Sequence, residues 1–410
     1  MDENLAWKII YIAAIFSLII MVVAYLFISP SQSPYFTDEK TDKIAEFKDA
    51  RLAGRKTGRK VWELTVKEGW TSKNHEINYL YDVSHGQIFM DEQLVVAELS
   101  APFAKAYRRT DMIEVYGRPE GRTEGKSLLH ARLDLRKIST QRQGLSEWAR
   151  ITADYLKYLP QHKATELSGS VQLHKKDSSI YSDKIRIDHE QRVAEIHDNI
   201  SIRRQDGRMT CDKLRYYGPD EKLVADNHID LNVTETKLKT RMRADHATFY
   251  SDMNRDMVLV GNVEAVQGKK LAIGDNGIYS QPSGRLLLNG NVKAVFEKAA
   301  AVLKDSTVKQ LRNKEATRIL KEKTVLTSDS LIIFTRSGNA QADGHVLVTQ
   351  QTREAKADQA VYDDNTELLT LSGNVYLKKM DEWVSARQVV ISVKDETFGA
   401  VGSVEAEFKL

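Results

Sequence analysis

The chain has 410 residues, more than one ordinary core accommodates, so several packed units or an extended array are expected. Its 60 Lys and Arg stand against 57 Asp and Glu, a net charge of +3. No segment concentrates basic charge with interleaved aromatics, which excludes the sequence footprint of nucleic-acid binding. A single cysteine, Cys211, excludes an intramolecular disulfide framework.

Residues Ile9 to Ile28 carry no charged side chain. Twenty residues rising ~1.5 Å each reach ~30 Å, enough to cross a bilayer. Trp7, Tyr11 and Tyr25 lie near the ends, where aromatic anchors belong. The run is longer than a usual signal-peptide core, and no small-x-small cleavage site follows it. An uncleaved anchor over 9–29 is expected, with 1–8 as a cytoplasmic tail, 30–46 as a linker and the remainder outside the cytoplasm. Asp2 and Glu3 offset Lys8 and the amino terminus, so charge votes only weakly on orientation.

From Phe47 the pattern turns to β. Val61 to Val66, Ile88 to Met90 and Leu94 to Ala97 read as strands, and Leu129, Ala131, Leu133 and Leu135 alternate along another. A degraded copy of the later repeat runs from Pro102 to Gly117.

Beyond residue 153 one pattern returns eight times. Each unit holds a small or polar residue followed by Asp: Ala153-Asp154, Ser182-Asp183, Cys211-Asp212, Ala244-Asp245, Gly274-Asp275, Ser328-Asp329 and Ala357-Asp358, with Arg387 in the eighth. Fifteen or sixteen residues on comes a Gly-Asn-Val-like turn, as in Gly261-Asn262-Val263 and Gly373-Asn374-Val375. The glycine-equivalent positions 169, 198, 227, 261, 290, 344, 373 and 402 lie 29, 29, 34, 29, 54, 29 and 29 residues apart. Such a period signals a repeat architecture in which each unit buries its apolar face against its neighbours.

Within each unit apolar residues alternate in constant phase. After the Asp come Leu156/Tyr158, Ile185/Ile187, Leu214/Tyr216, Leu331/Ile333, Ala360/Tyr362 and Val389/Ile391, with thinner pairs at Ala247/Phe249 and Gly277/Tyr279. Flanking the Gly position are Leu167 and Val171, Ile196 and Ile200, Leu259 and Val263, Leu288 and Val292, Val346, Leu371 and Val375, and Val404. Period two with one apolar face is a half-buried strand, and the polar faces, alternating in sign, suit solvation. Turn formers such as Gln281-Pro282-Ser283-Gly284 separate the strands, so each unit reads as strand, turn, strand, roughly sixteen strands in series. Small inward residues (Ala247, Gly277, Ala294, Ala360 and Ala406) lean toward a roomy interior. The recurring Asp, opening its strand, reads as a partner of turn backbone rather than a metal ligand, and the recurring Gly as a turn or bulge device.

There is no Gly-x-Ser-x-Gly, His-Glu-x-x-His, Walker or Cys-x-x-Cys motif, and the ten histidines are scattered. Neither enzymatic activity, nor a metal, nor a cofactor is expected. Residues 298–314 lack Gly and Pro and read as a short helix or a polar hairpin, an insertion near 299–316 between two units.

The anchor, the Trp62-Glu63-Leu64 strand region, the Ala-Asp-x-x-x-Tyr units and the Leu-x-Gly-Asn-Val units together resemble the lipopolysaccharide-export bridge proteins. Residues 47–145 are similar to the membrane-anchored LptC component, and 146–410 to the LptA type with its OstA-like module. The resemblance implies an all-β fold: a transmembrane helix, then an extended antiparallel β-jellyroll, V-shaped and open along one side. It implies that these alternating residues, from Leu156 and Tyr158 to Val389, Ile391 and Val404, line a trough for the acyl chains of lipopolysaccharide or another lipid A-type glycolipid. It further implies an inner-membrane ABC exporter as the source, and a downstream jellyroll bridge or outer-membrane translocon as the acceptor. That acceptor would pair with the last strand at Ala406, Phe408 and Leu410. The periodicity alone also fits a closed β-solenoid serving as an envelope scaffold or stalk without a lipid.

Overall fold

The computed structural model describes residues 43–118, 128–134, 148–175, 178–205, 207–234, 239–252, 254–268, 270–296, 323–392 and 397–408. The strands are β1 (Lys43–Lys56), β2 (Arg59–Ser72), β3 (Ile77–Met90), β4 (Gln93–Tyr107), β5 (Ile113–Tyr116), β6 (Leu129–Leu133), β7 (Ala149–Ala153) and β8 (Tyr155–Leu159). They continue as β9 (Ala164–Lys175), β10 (Ser178–Asp188), β11 (Val193–Arg204), β12 (Gly207–Tyr217), β13 (Lys222–Val233), β14 (Thr240–Tyr250), β15 (Met257–Gln267) and β16 (Lys270–Ser280). The last are β17 (Arg285–Phe296), β18 (Thr324–Phe334), β19 (Ala340–Gln350), β20 (Arg353–Asp363), β21 (Leu368–Lys379), β22 (Glu382–Ser392), β23 (Thr397–Val401) and β24 (Glu405–Glu407).

All 24 strands join one antiparallel sheet. β1 to β4 form a meander; β4 then pairs with both β5 and β6, which pair with β8 and β7 respectively. The ladder therefore passes the expected boundary at 145/146 without a break. β7 and β8 both pair with β9, and from β9 to β22 each strand pairs with its successor. β22 receives both β23 and β24. If β7/β8 and β23/β24 each count as one interrupted strand, the described residues of the repeat region hold sixteen strands, in line with its periodicity.

Each strand from β9 to β22 bends at its middle, because nearly every pairing slips register there; β14 and β15, for example, lose register between Arg243 and His246. On the odd strands the bend is the Gly-Asn dipeptide. Gly261 and Asn262 have φ of 80° and 47°, and where Gly is absent Asp198 and Asn227 occupy the same left-handed region, which Asn and Asp tolerate best. On the even strands it is the Asp dipeptide. Asp245 and His246 are both unburied, so the buried phase shifts from Met242 and Ala244 to Ala247 and Phe249.

The Asp consequently sits in mid-strand rather than opening one. Alternation restarts at the bend, so a period-two reading misses the half-strand before it. Every strand becomes two limbs. The limbs ending at the Asp/Asn/Gly-rich turns form arm A, and those ending at the hairpins on the other side form arm B. Both arms turn their apolar side to one core that runs from Trp62 to Val389.

Among the described residues no helix is long and apolar enough to cross a membrane. The expected tail 1–8, the anchor 9–29, the linker as far as residue 42, the insertion near 299–316, and Leu135 and Leu410 lie outside the described residues.

Candidate functional site

The column of bends is held by the repeat's two markers, which meet. Asn262 Nδ2 donates to Asp245 Oδ2 at 2.8 Å, Asn291 to Asp275 at 2.8 Å and Asn374 to Asp358 at 2.9 Å; Asn199 does the same to Asp183. His228 and His345 replace the Asn in two units and contact Asp212 and Asp329 at 2.6 and 2.8 Å. Hydrogen bonding and charge from those Asp residues hold both imidazoles above their ordinary pKa. The Gly beside the Asn must lie flat against the Asp: a Cβ on Gly261 would stand 2.6 Å from Asp245 Oδ2. Among the described residues no group of His, Cys, Asp and Glu could hold a metal ion.

The bends bring the alternating residues together on one inner wall. Leu156, Tyr158, Leu167, Val171, Ile185, Ile187, Ile196, Ile200, Leu214, Phe249, Leu259, Val263, Tyr279, Leu288, Val292, Leu331, Val346, Tyr362, Leu371, Val375 and Val389 are all buried there. Tyr216, Ile333 and Ile391 are partly buried against the same core. Val404 is not on the wall. It lies in the break between β23 and β24 and is 49% exposed. Ala406, counted among the small inward residues, is exposed as well. Cys211 is buried on the wall as well, and burial pushes its thiol up to about 12.

For most of its length the wall is filled by its own side chains. An apolar cavity of about 240 Å³ lies between β14 and β21. Arm B contributes Ala265, Ala272, Ala294, Phe296, Leu326 and Val348; arm A contributes Leu331, Ile333, Ala340, Ala342, Ala360, Tyr362 and Leu369.

The sequence explains its position. Four residues after the Gly position, successive units read Ile202, Leu231, Ala265, Ala294, Val348 and Leu377. Three residues before the Asp they read Ile180, Met209, Met242, Ala272, Leu326 and Ala355. Where the wall changes from Ile, Leu and Met to Ala, the space those side chains fill elsewhere is left open. Ala294 and Ala360 border this space, whereas Ala247 and Gly277 sit in packed wall. A smaller void of about 80 Å³ lies nearer β6 to β13.

Polar clasps join the rims of the two arms. Lys175 Nζ meets Glu221 Oε1 at 2.8 Å, Arg204 Nη2 donates to the Tyr250 carbonyl at 2.9 Å, and Gln267 Nε2 to the Thr335 carbonyl at 3.2 Å. Lys270 Nζ lies 3.6 Å from Asp364 and 5.4 Å from the Tyr362 ring centre, where both Lys270 and Tyr362 line the apolar cavity. In each clasp the arm-A partner comes several strands later than the arm-B one, so the two arms are coiled on each other. These contacts join residues 46 to 94 positions apart in sequence, and no local signal announces them.

Residues 150–315 and 241–397 each match the family described as LptA/LptD N-terminal domain lipopolysaccharide transport proteins, and together the two matches run over more than half of the chain. No curated protein matches the chain in sequence. Among solved structures, the chain is similar to the crystal structure of LptH, the LptA homologous periplasmic component of the lipopolysaccharide transport device from Pseudomonas aeruginosa. The identity is 11% and the TM-score 0.24, over 42% of this chain and 95% of that one. A score that low adds nothing to the fold, which stands on the strand ladder.

Proposed function

The chain belongs to the LptA/LptD N-terminal domain family of lipopolysaccharide transport proteins, and from that premise we propose that its inner wall carries the acyl chains of a lipopolysaccharide-type glycolipid across the periplasm. The family is one of transport proteins, not enzymes. In this reading the apolar segment 9–28 holds the chain to the inner membrane beside an ABC exporter, and the sugar headgroup stays in water outside the wall.

The observation that carries the reading is the apolar cavity of about 240 Å³ between the arms. It exceeds the roughly 150 Å³ of an apolar void that stays dry and takes up benzene. A sealed scaffold has no use for such a space, whereas each methylene of an acyl chain moved into it gains ~0.8 kcal/mol. The receiving end is the edge of β22 to β24, where Val401, Val404 and Phe408 are 61%, 49% and 62% exposed. An exposed edge with apolar side chains is a template for another sheet, here the next jellyroll or an outer-membrane translocon.

The test is extraction of lipid from the full chain purified in mild detergent from cells that make lipopolysaccharide. The reading predicts one acylated glycolipid bound in a fixed ratio. Protein free of glycolipid, or carrying only bulk phospholipid in membrane proportions, overturns it.

A further inference from the structure

The outer faces of the two arms follow opposite charge logic. On arm A the residues facing each other across successive strands are Glu114, Lys157, Glu166, Arg186, Glu195 and Arg215, alternating in sign at every step. On arm B, over many of the same strands, the corresponding row is Arg132, Arg150, His174, Ser179, Arg203, Arg208, Asn232 and Arg241. No carboxylate interrupts it. Arg132 directly opposes Arg150 and Arg203 directly opposes Arg208, an arrangement that destabilises a sheet where opposite charges would stabilise it.

The ends of this row are compensated. Arg132 pairs with Glu98 at 2.6 Å, and Arg241 pairs with Asp230. Its middle is not. Among the described residues Arg150, Arg203 and Arg208 have no carboxylate within ion-pair distance, and all three are exposed. Arg203 is propped 4.9 Å over the Tyr181 ring, and Arg208 Nε donates to Ser201 Oγ at 3.0 Å, so neither guanidinium hangs free. With strands ~4.8 Å apart, β7 to β12 spread these charges over ~19 Å along the long axis of the sheet. Arg203 and Arg208 also lie beside the arm-B hairpin whose Arg204 reaches the Tyr250 carbonyl of arm A. The row thus borders the seam through which a headgroup would leave acyl chains held inside.

We propose that the row of Arg150, Arg203 and Arg208 on the outer face of arm B binds phosphate groups, those on the sugar headgroup of the carried glycolipid. Guanidinium forks match phosphate oxygens in pairs, and a phosphate-bearing headgroup supplies the negative charge the row lacks. The inference rests on the transport reading for the origin of the phosphate, though not for the site itself.

The test uses the full chain in neutral detergent and three probes: a soluble bisphosphorylated glucosamine disaccharide without acyl chains, inorganic phosphate, and vesicles of phosphatidylcholine with phosphatidylglycerol. The disaccharide is expected to bind more tightly than inorganic phosphate and to lose at least tenfold in affinity in the Arg150→Gln/Arg203→Gln/Arg208→Gln variant. Arg186→Gln on arm A, which breaks an alternating row, should leave it unchanged. The triple variant should also melt no lower than the parent, since it removes opposed like charges; this separates lost binding from lost folding. Disaccharide binding that ignores the triple substitution overturns the proposal, and so does arginine-dependent binding of the vesicles alone, which would make the row a membrane contact. Arginine-dependent disaccharide binding in a chain that never carries glycolipid would keep the site and remove the transport reading.

Discussion

Ala342 and Ala360 face each other across β19 and β20 on the wall of the apolar cavity between the arms, 2% and 4% exposed. Replacing Ala342 by Leu adds three carbons pointing into a space of about 240 Å³. Burying the added carbons in that space gains up to ~2.4 kcal/mol. Ala342→Leu is therefore expected to leave the urea midpoint unchanged or raise it. Ala225→Leu is the matched control: Ala225 is fully buried in filled wall, and overpacking there costs ~1–3 kcal/mol. The same Ala342→Leu substitution removes room for three methylenes of a bound acyl chain, ~2.4 kcal/mol, and weakens glycolipid binding about fifty-fold. Urea unfolding with displacement of a fluorescent acylated glycolipid reads both effects. The reasoning fails if Ala342→Leu is as destabilising as Ala225→Leu, or if it fits and the lipid binds as before.

Other consequences follow from the bends and from one buried base. Gly261→Ala puts a Cβ against Asp245 in the left-handed region and should cost about 2 kcal/mol. Gly399→Ala, where a Cβ meets open space and φ is ordinary, should be neutral in the same melt. His189 is buried with Nε2 2.7 Å from Thr165 Oγ1, and burial lowers its pKa from 6.5 to about 4. The folded state thus holds it neutral, while the unfolded chain takes up a proton below 6.5. Stability should be fully present above that value and fall as the pH drops toward 4, by an amount on the order of 3 kcal/mol. Unfolding of His189→Asn across this range should lack that part of the slope; an unchanged slope contradicts the assignment.

The repeat was legible because a strand's side chains alternate with a period of two and the units recur at fixed spacing. Leu259 and Val263, or Leu371 and Val375, declare the inner wall without any knowledge of their partners. The bend was not legible as a bend. Asp245 and His246 look like the start of a strand because the buried phase changes there, and only the register shows the chain continuing through. The cavity was half-written: alanines such as Ala294 and Ala360 suggested space, but Ala247 is equally small and sits in packed wall. What decides is which residues face them from the other arm, several strands later. The arginine row is hidden for the same reason, since Arg150, Arg203 and Arg208 become neighbours only through the ladder, and along the chain basic and acidic residues look evenly mixed. Val404 read as one more wall residue because its unit has the usual spacing, but it falls in the break between β23 and β24.

The most direct test of lipid passage between the arms is photo-crosslinking in growing cells, with a benzophenone amino acid placed at one position of the full chain at a time. Ile333 and Leu371 lie on the inner wall, Ile333 at the cavity, while Arg215 points outward from arm A. Glycolipid attached at Ile333 and Leu371 but not at Arg215 is the predicted result. Equal labelling of all three positions, or labelling at Arg215 alone, would contradict an acyl path inside the fold.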